Sequence, residues 1–293
     1  MQEAIIQAMR KMLCMLLMTL GIAVLQAAPL KIASLHPLLS EMARSIGGNQ
    51  VEVVDLFPAN GDLHSFTPTG KSLAAAAGAR LVLACGKGVE PYLADLNDSL
   101  PLDSQIVEVG AEIPNVRVPG TSYTDPHWWN TPDNMKRASR TLHAAMVNAA
   151  PEHTEQFNKG RANYATRMDK LTRTARLKLS RIPRNARYLV TGHAAMCHFC
   201  AAFNLTPISI QGVARESQGD PATLAALLTD LRSKNVRCIF TEVNAAPRML
   251  QVIADQLGVP TAPLVMDGIY PAAPGYEAMF NYNIDIICKH LSK

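Results

Sequence analysis

The stretch PEHTEQFNKGRANYATRMDKLTRTARLKLSRIP, Pro151–Pro183, decides how the chain is organised. Phe157, Tyr164, Met168, Leu171 and Leu179 fall on one side of a 3.6-residue period among many charges, and Pro183 ends the pattern. A helix from Pro151 to about Arg181 is long for a connection inside one domain, so it reads as a rod between two lobes. Before it, strands at Lys31–Leu35, Val51–Phe57, Arg80–Ala84 and Gln105–Val109 alternate with helical patterns at Leu38–Ile46, Lys71–Ala77 and Pro91–Asn97. Pro132 then opens a helix to about Ala150, a favourable place for proline. After the rod, strands at Arg187–Thr191, Pro207–Gln211, Val236–Glu242 and Thr261–Val265 alternate with helices at Ala194–Phe203, from Asp220-Pro221 to about Asn235, at Arg248–Leu257 and at Tyr276–Leu291. Such alternation predicts an α/β protein of two lobes, each a mainly parallel sheet flanked by helices with its own core, joined by one long helix. The expected boundaries are a leader over 1–28, an N-terminal lobe over 29–150, the connecting helix over 151–183 and a C-terminal lobe over 184–293.

Of the 293 residues 48% are hydrophobic and 18% charged, which suits a globular chain and argues against disorder. The net charge of +4 is spread out, with no basic block dense enough for nucleic acid. Arg10 and Lys11 precede the apolar run Met12–Val24, followed by Ala27, Ala28 and Pro29. A basic start, a short apolar run and a small-residue exit predict a secretory signal peptide and an exported protein. Cys14 sits at the start of that run, badly placed for lipid attachment. Behind the leader remain Cys85, Cys197, Cys200, Cys238 and Cys288, an odd number. Buried thiols are expected for Cys85 and Cys238, and a disulfide among the last four is compatible with an oxidising compartment.

The loops carry the chemistry. In parallel α/β sheets ligands bind beyond the carboxyl ends of strands. His193 and Asp267 stand there directly, and His64 does so after a loop framed by Gly61 and Pro68. His127 follows Asp125-Pro126. Three imidazoles and a carboxylate are ligands that Zn²⁺, Mn²⁺ or Fe²⁺ accept, and converging loops would make a four-ligand cage. His143 and His153 lie in helical patterns and His290 near the chain end, without partners at ligand spacing; His36, just after a strand, is a weaker candidate. Cys197-His198-Phe199-Cys200 lies within a predicted helix with no second Cys pair to complete a zinc knuckle, so packing thiols or a disulfide partner is expected, with redox sensing near the metal as the other reading.

Four short motifs in order, His64-Ser65-Phe66-Thr67-Pro68, Asp125-Pro126-His127-Trp128-Trp129, Thr191-Gly192-His193-Ala194-Ala195 and Asp267-Gly268, together with the long mid-chain helix, resemble the metal-binding receptors of zinc and manganese ABC importers, the cluster A-I substrate-binding proteins. The resemblance runs from about Leu30 to the C-terminus. It implies that His64 and His127 from the first lobe, with His193 and Asp267 from the second, hold the metal in the cleft. A Glu near Glu242 also occurs in the family and here would orient a ligand histidine. Manganese-preferring relatives tend to hold Glu where this chain has His193, so the resemblance favours Zn²⁺, with Mn²⁺ or Fe²⁺ open. The His-rich loop of many zinc receptors is missing, because Ala111–Asp125 has no histidine.

The expectation is therefore a periplasmic or otherwise extracytoplasmic monomer, not an enzyme, that captures a divalent metal and hands it to an ABC transporter permease. The rod implies limited lobe motion, with release through small rearrangements around Asp267. The rival is a secreted metal-dependent hydrolase with Asp267 as base rather than ligand, and a surface adhesin reusing the fold is a further alternative. Neither His-Glu-x-x-His nor Gly-x-Ser-x-Gly occurs.

Overall fold

The computed structural model describes residues 27–58, 61, 63–210, 221–243, 248–268 and 272–292. The expected leader falls almost wholly outside these, as do Gln211 and Asp220. The N-terminal half holds β1 (Leu30–Ser34), α1 (Pro37–Gly47), β2 (Val51–Asp55), α2 (Gly70–Ala75), β3 (Leu81–Ala84), α3 (Leu93–Ser99), β4 (Gln105–Glu108) and α4 (Pro132–Ala149). α5 (Thr154–Leu179) follows, then β5 (Tyr188–Thr191), α6 (Cys197–Phe203), β6 (Thr206–Ser209), α7 (Pro221–Ser233), β7 (Ile239–Glu242), α8 (Arg248–Leu257), β8 (Thr261–Leu264) and α9 (Tyr276–Leu291).

Two four-stranded parallel sheets result, in the orders β2-β1-β3-β4 and β6-β5-β7-β8. The same topology is thus used twice. Central strands β3 and β7 are buried at every residue, as strands covered by helices on both faces must be. The outer strands β6 and β8 carry Pro207 and Pro263, tolerated where no further strand needs the missing N–H.

The rod is shorter than the sequence suggests. Pro151–His153 forms a single 3₁₀ turn, and the α-helix proper has 26 residues, about 39 Å at 1.5 Å per residue. Its buried stripe, Phe157, Gly160, Tyr164, Met168, Leu171, Thr172, Ala175 and Leu179, packs on α1 and α4 of the first lobe and α9 of the second. Gly160 permits the closest approach: a Cβ there would stand 2.0 Å from the carbonyl oxygen of Ile46.

The expectation of one core per lobe needs correction. A single buried cluster runs from Leu30, Ile32 and Met42 through Trp128, Trp129, Phe157 and Tyr164 to Phe199, Phe280 and Leu291. Among the described residues the far faces of the sheets have separate cores, built around Ala33, Val82 and Leu96 in one lobe and Val190, Ile239 and Ile253 in the other. The stripe on α5 faces both lobes at once, so it fuses their inner cores. Among the described residues no helix is long and apolar enough to cross a membrane. The five described cysteines are all unpaired thiols, four of them buried, so the disulfide entertained from sequence does not form.

Candidate metal centre

Each side chain of the centre is set by a local feature of its loop. His193 lies two residues beyond β5, and its carbonyl is occupied by the Thr191 hydroxyl at 2.7 Å and the Ala195 amide at 3.0 Å. α6 begins at Cys197, three residues later than the expected Ala194. His127 precedes the 3₁₀ turn Trp128–Asn130. His64 occupies a turn pinned by buried Leu63, and Asp267 follows β8.

These four come together. One ligand atom from each of His64, His127, His193 and Asp267 lies within 4.8 Å of all the others. The Nε2 atoms of His127 and His64 are 3.3 Å apart, His127 Nε2 is 3.7 Å from Asp267 Oδ1, and His64 Nε2 is 3.8 Å from Asp267 Oδ2. A tetrahedral ion with bonds of about 2.0–2.1 Å has ligand–ligand edges of about 3.3–3.4 Å, so this spacing fits a small divalent cation with slight contraction. His127 and His193 are fully buried, whereas the side chain of His64 is 30% exposed, so solvent reaches the centre from the His64 side.

Two imidazoles are oriented by carboxylates. His127 Nδ1 lies 2.7 Å from Asp125 Oδ1, and His193 Nδ1 lies 2.6 Å from Glu242 Oε1. With Nδ1 donating in each, both rings turn an unprotonated Nε2 to the centre. His193 Nε2 is buried and has no hydrogen-bond partner among the described residues, a cost that a bound cation would remove. Burial works against a charged His127, yet the Asp125 hydrogen bond and the charges of Asp125, Asp267 and Glu242 outweigh it and raise its pKa. Asp125 moves the other way: burial opposes its ionisation, but His127 holds it below the usual carboxylate range.

Asp125 does more than its place beside His127 suggests. Its Oδ1 also accepts from the His127 amide at 2.8 Å, while Oδ2 accepts from the Cys197 amide at 2.8 Å. One first-lobe carboxylate thus orients His127 and caps α6 of the second lobe, an anion at a helix N-terminus. The ring of His198 joins this network through the Asp125 carbonyl at 3.0 Å and Asn134 at 3.2 Å. The Asp-Pro preceding His127 was the available signal, but nothing in the sequence names α6 as its partner. Cys197 and Cys200 are buried thiols, and burial lifts the Cys197 pKa to about 12, far from a reactive thiolate.

The other histidines have ordinary roles. His36, the weaker candidate, caps α1, its Nδ1 accepting from the Leu38 amide at 3.1 Å, and burial lowers its pKa to about 4. His153 Nε2 is 3.1 Å from the Ala28 carbonyl oxygen, and His143 pairs with Asn158 at 2.7 Å.

Two parallel α/β lobes on a shared helix, with a three-histidine, one-aspartate cluster between them, define the class of two-lobed metal-binding receptors. The family described as "Zinc-uptake complex component A periplasmic" matches residues 32–290, and the chain belongs to it. It is similar to the iron-binding protein YfeA of Yersinia pestis, 23% identical over 269 residues that cover 90% of this chain and 86% of YfeA. It is also similar to the manganese-binding lipoprotein MntA of Bacillus subtilis, 25% identical, with 89% of this chain and 90% of MntA covered. The solved periplasmic zinc-binding protein TroA of Treponema pallidum superposes with a TM-score of 0.81 at 22% identity, covering 91% of this chain and all of that one, which shows the shared fold. These relatives are named for binding iron, manganese and zinc, further relatives are named as substrate-binding lipoproteins of metal ABC transporters, and the hydrolase alternative finds no support.

Proposed function

We propose that this chain captures a divalent transition metal, Zn²⁺ foremost, with His64, His127, His193 and Asp267, and delivers it outside the cytoplasm to the permease of an ABC importer. The observation that carries the reading is the convergence of three imidazoles and a carboxylate from four loops of both lobes, with one ligand atom of each within 4.8 Å of the others. Four protein ligands leave no position for a reactive water, which suits a carrier rather than a catalyst. Three imidazoles favour Zn²⁺ over the harder Mn²⁺. Because relatives are named for iron and manganese, the same centre filled by Fe²⁺ or Mn²⁺ is the second reading.

The family description and the lipoprotein relatives support an extracytoplasmic location, reached through the leader over 1–28. The lobes are assigned to 29–150 and 184–293 with 151–183 between them, working as a monomer. The core shared across α5 supports release by movement of the Asp267 loop rather than wide lobe opening. Elemental analysis of protein from its native compartment, with a competition titration against a chromophoric chelator, tests the reading. One tightly held Zn²⁺ per chain, lost in His193→Ala, is the expected result. No bound metal, or binding indifferent to His193, overturns it.

A further inference from the structure

Asp267 reaches the cluster from the edge of the second sheet, on a strand extension whose next residue is glycine. An aspartate so placed can turn its carboxylate to either side unless its backbone is fixed. The residue before it is fixed from the opposite lobe. The indole Nε1–H of Trp129 donates to the carbonyl oxygen of Met266 at 2.8 Å, across 137 residues of sequence. Trp129 is 1% exposed, and its ring lies against those of His127, 5.3 Å between centroids, and His36, at 4.9 Å. One residue further back, Asn283 of α9 clamps Val265 on both backbone groups, accepting from its amide at 2.9 Å and donating to its carbonyl at 2.7 Å. The chain leading into Asp267 is therefore held at two successive residues, once from its own lobe and once from the other.

We propose that Trp129 is a positioning residue for the metal site, setting the Met266–Asp267 peptide plane so that the Asp267 carboxylate meets the first-lobe histidines. A carbonyl and the next residue's N–Cα bond share one rigid plane, so fixing the Met266 oxygen fixes the direction in which Asp267 leaves it. Both groups are buried, and in place of a loose contact their hydrogen bond gives a definite orientation. The Trp129 ring packs on His127, so the tether carries the position of a first-lobe ligand to a second-lobe ligand. The Asp267 oxygens then stand 3.7 Å from His127 Nε2 and 3.8 Å from His64 Nε2. Capture needs these ligands in register before the ion arrives, and the tether supplies that register.

The role rests on the metal-binding reading above, and a double-mutant cycle separates the two. Zn²⁺ affinity and the Co²⁺ absorption spectrum are measured on the full chain, on Trp129→Phe, on Asp267→Ala and on the double variant. Trp129→Phe keeps an aromatic ring and removes the donor. Zn²⁺ affinity is expected to fall about 10- to 100-fold, the usual effect of losing a group that orients a ligand, and the Co²⁺ visible bands to lose intensity. In the Asp267→Ala background the same substitution is expected to change affinity less than about twofold, because nothing remains for it to position. Equal losses in both backgrounds, or wild-type affinity in Trp129→Phe, overturn the positioning role while leaving the metal site intact. Wild-type affinity in Asp267→Ala overturns the ligand assignment and this role together. Should Trp129→Phe lose its far-UV circular dichroism, benzothienylalanine at 129 keeps the bicyclic shape without the N–H, and the same outcomes decide.

Discussion

The two lobes use one strand order, and at one equivalent position they put the same residue to different work. β1 ends in Ser34 and β5 in Thr191, and each hydroxyl donates to the carbonyl of a histidine two residues on, at 2.9 Å for His36 and 2.7 Å for His193. Ser34 pairs with Leu83 on the neighbouring strand and Thr191 with Phe240, so Cys85 and Glu242 occupy matching places. In the second lobe the glutamate takes Nδ1 of His193 and turns Nε2 to the cluster. In the first lobe the matching place holds a thiol, and Pro37 starts a helix at once. His36 therefore spends its Nδ1 on the cap of α1. Strand topology places a histidine at the sheet's mouth in each lobe, and in one lobe a carboxylate on the neighbouring strand turns it to the cluster while in the other it caps its own helix.

The sharpest way to break this contrast is His193→Ala, which is expected to cost more Zn²⁺ affinity than any other substitution here and to abolish one-to-one binding in a chelator titration. Glu242→Gln should follow, weakening Zn²⁺ about 10- to 100-fold by loosening the His193 tautomer. Retention of wild-type affinity there would dissolve the distinction drawn between Cys85 and Glu242. Next comes pH. Because the pKa of His127 is raised, a proton competes with the metal at higher pH than for an ordinary imidazole near 6.5. Affinity should thus decline on acidification beginning above about pH 6.5, by about tenfold per unit for each proton displaced. Asp125→Asn removes part of that upward push and should move the onset lower. A flat profile between about pH 5 and 7.5 would argue against histidine ligation. The smallest effect on the metal is expected for His36→Ala, which removes a helix cap worth about 1 kcal/mol and a buried ring packed on Trp129: Tm by calorimetry should fall while one metal is still bound per chain.

How much of this is legible in the sequence differs by scale. The alternation of strands and helices is local and periodic, so both sheets and the rod can be read directly, with ends shifted by a few residues. His64, His127, His193 and Asp267 stand out because each sits in a short motif at a strand end or constrained loop. Asp125 and Trp129 lie inside one of those motifs, yet their partners are 72 and 137 residues away, a distance no local pattern spans. The late start of α6 goes with the Asp125 cap on the Cys197 amide, a contact from the other lobe that no local pattern shows. The apolar stripe of α5 is plain in sequence, but a stripe says only that it is covered, not that two lobes cover it together. Likewise the last four cysteines left open a disulfide that none of them makes, because spacing along the chain does not show which thiols meet.

The approach of α5 to α1 at Gly160 bears on how the molecule comes apart. Backbone lies against backbone there, and the apolar interior spans the rod, so the two halves share one core. A proteolytic nick between the halves would leave the pieces adhering, and melting should proceed as one cooperative event in which lobes, rod and ion site dissolve together.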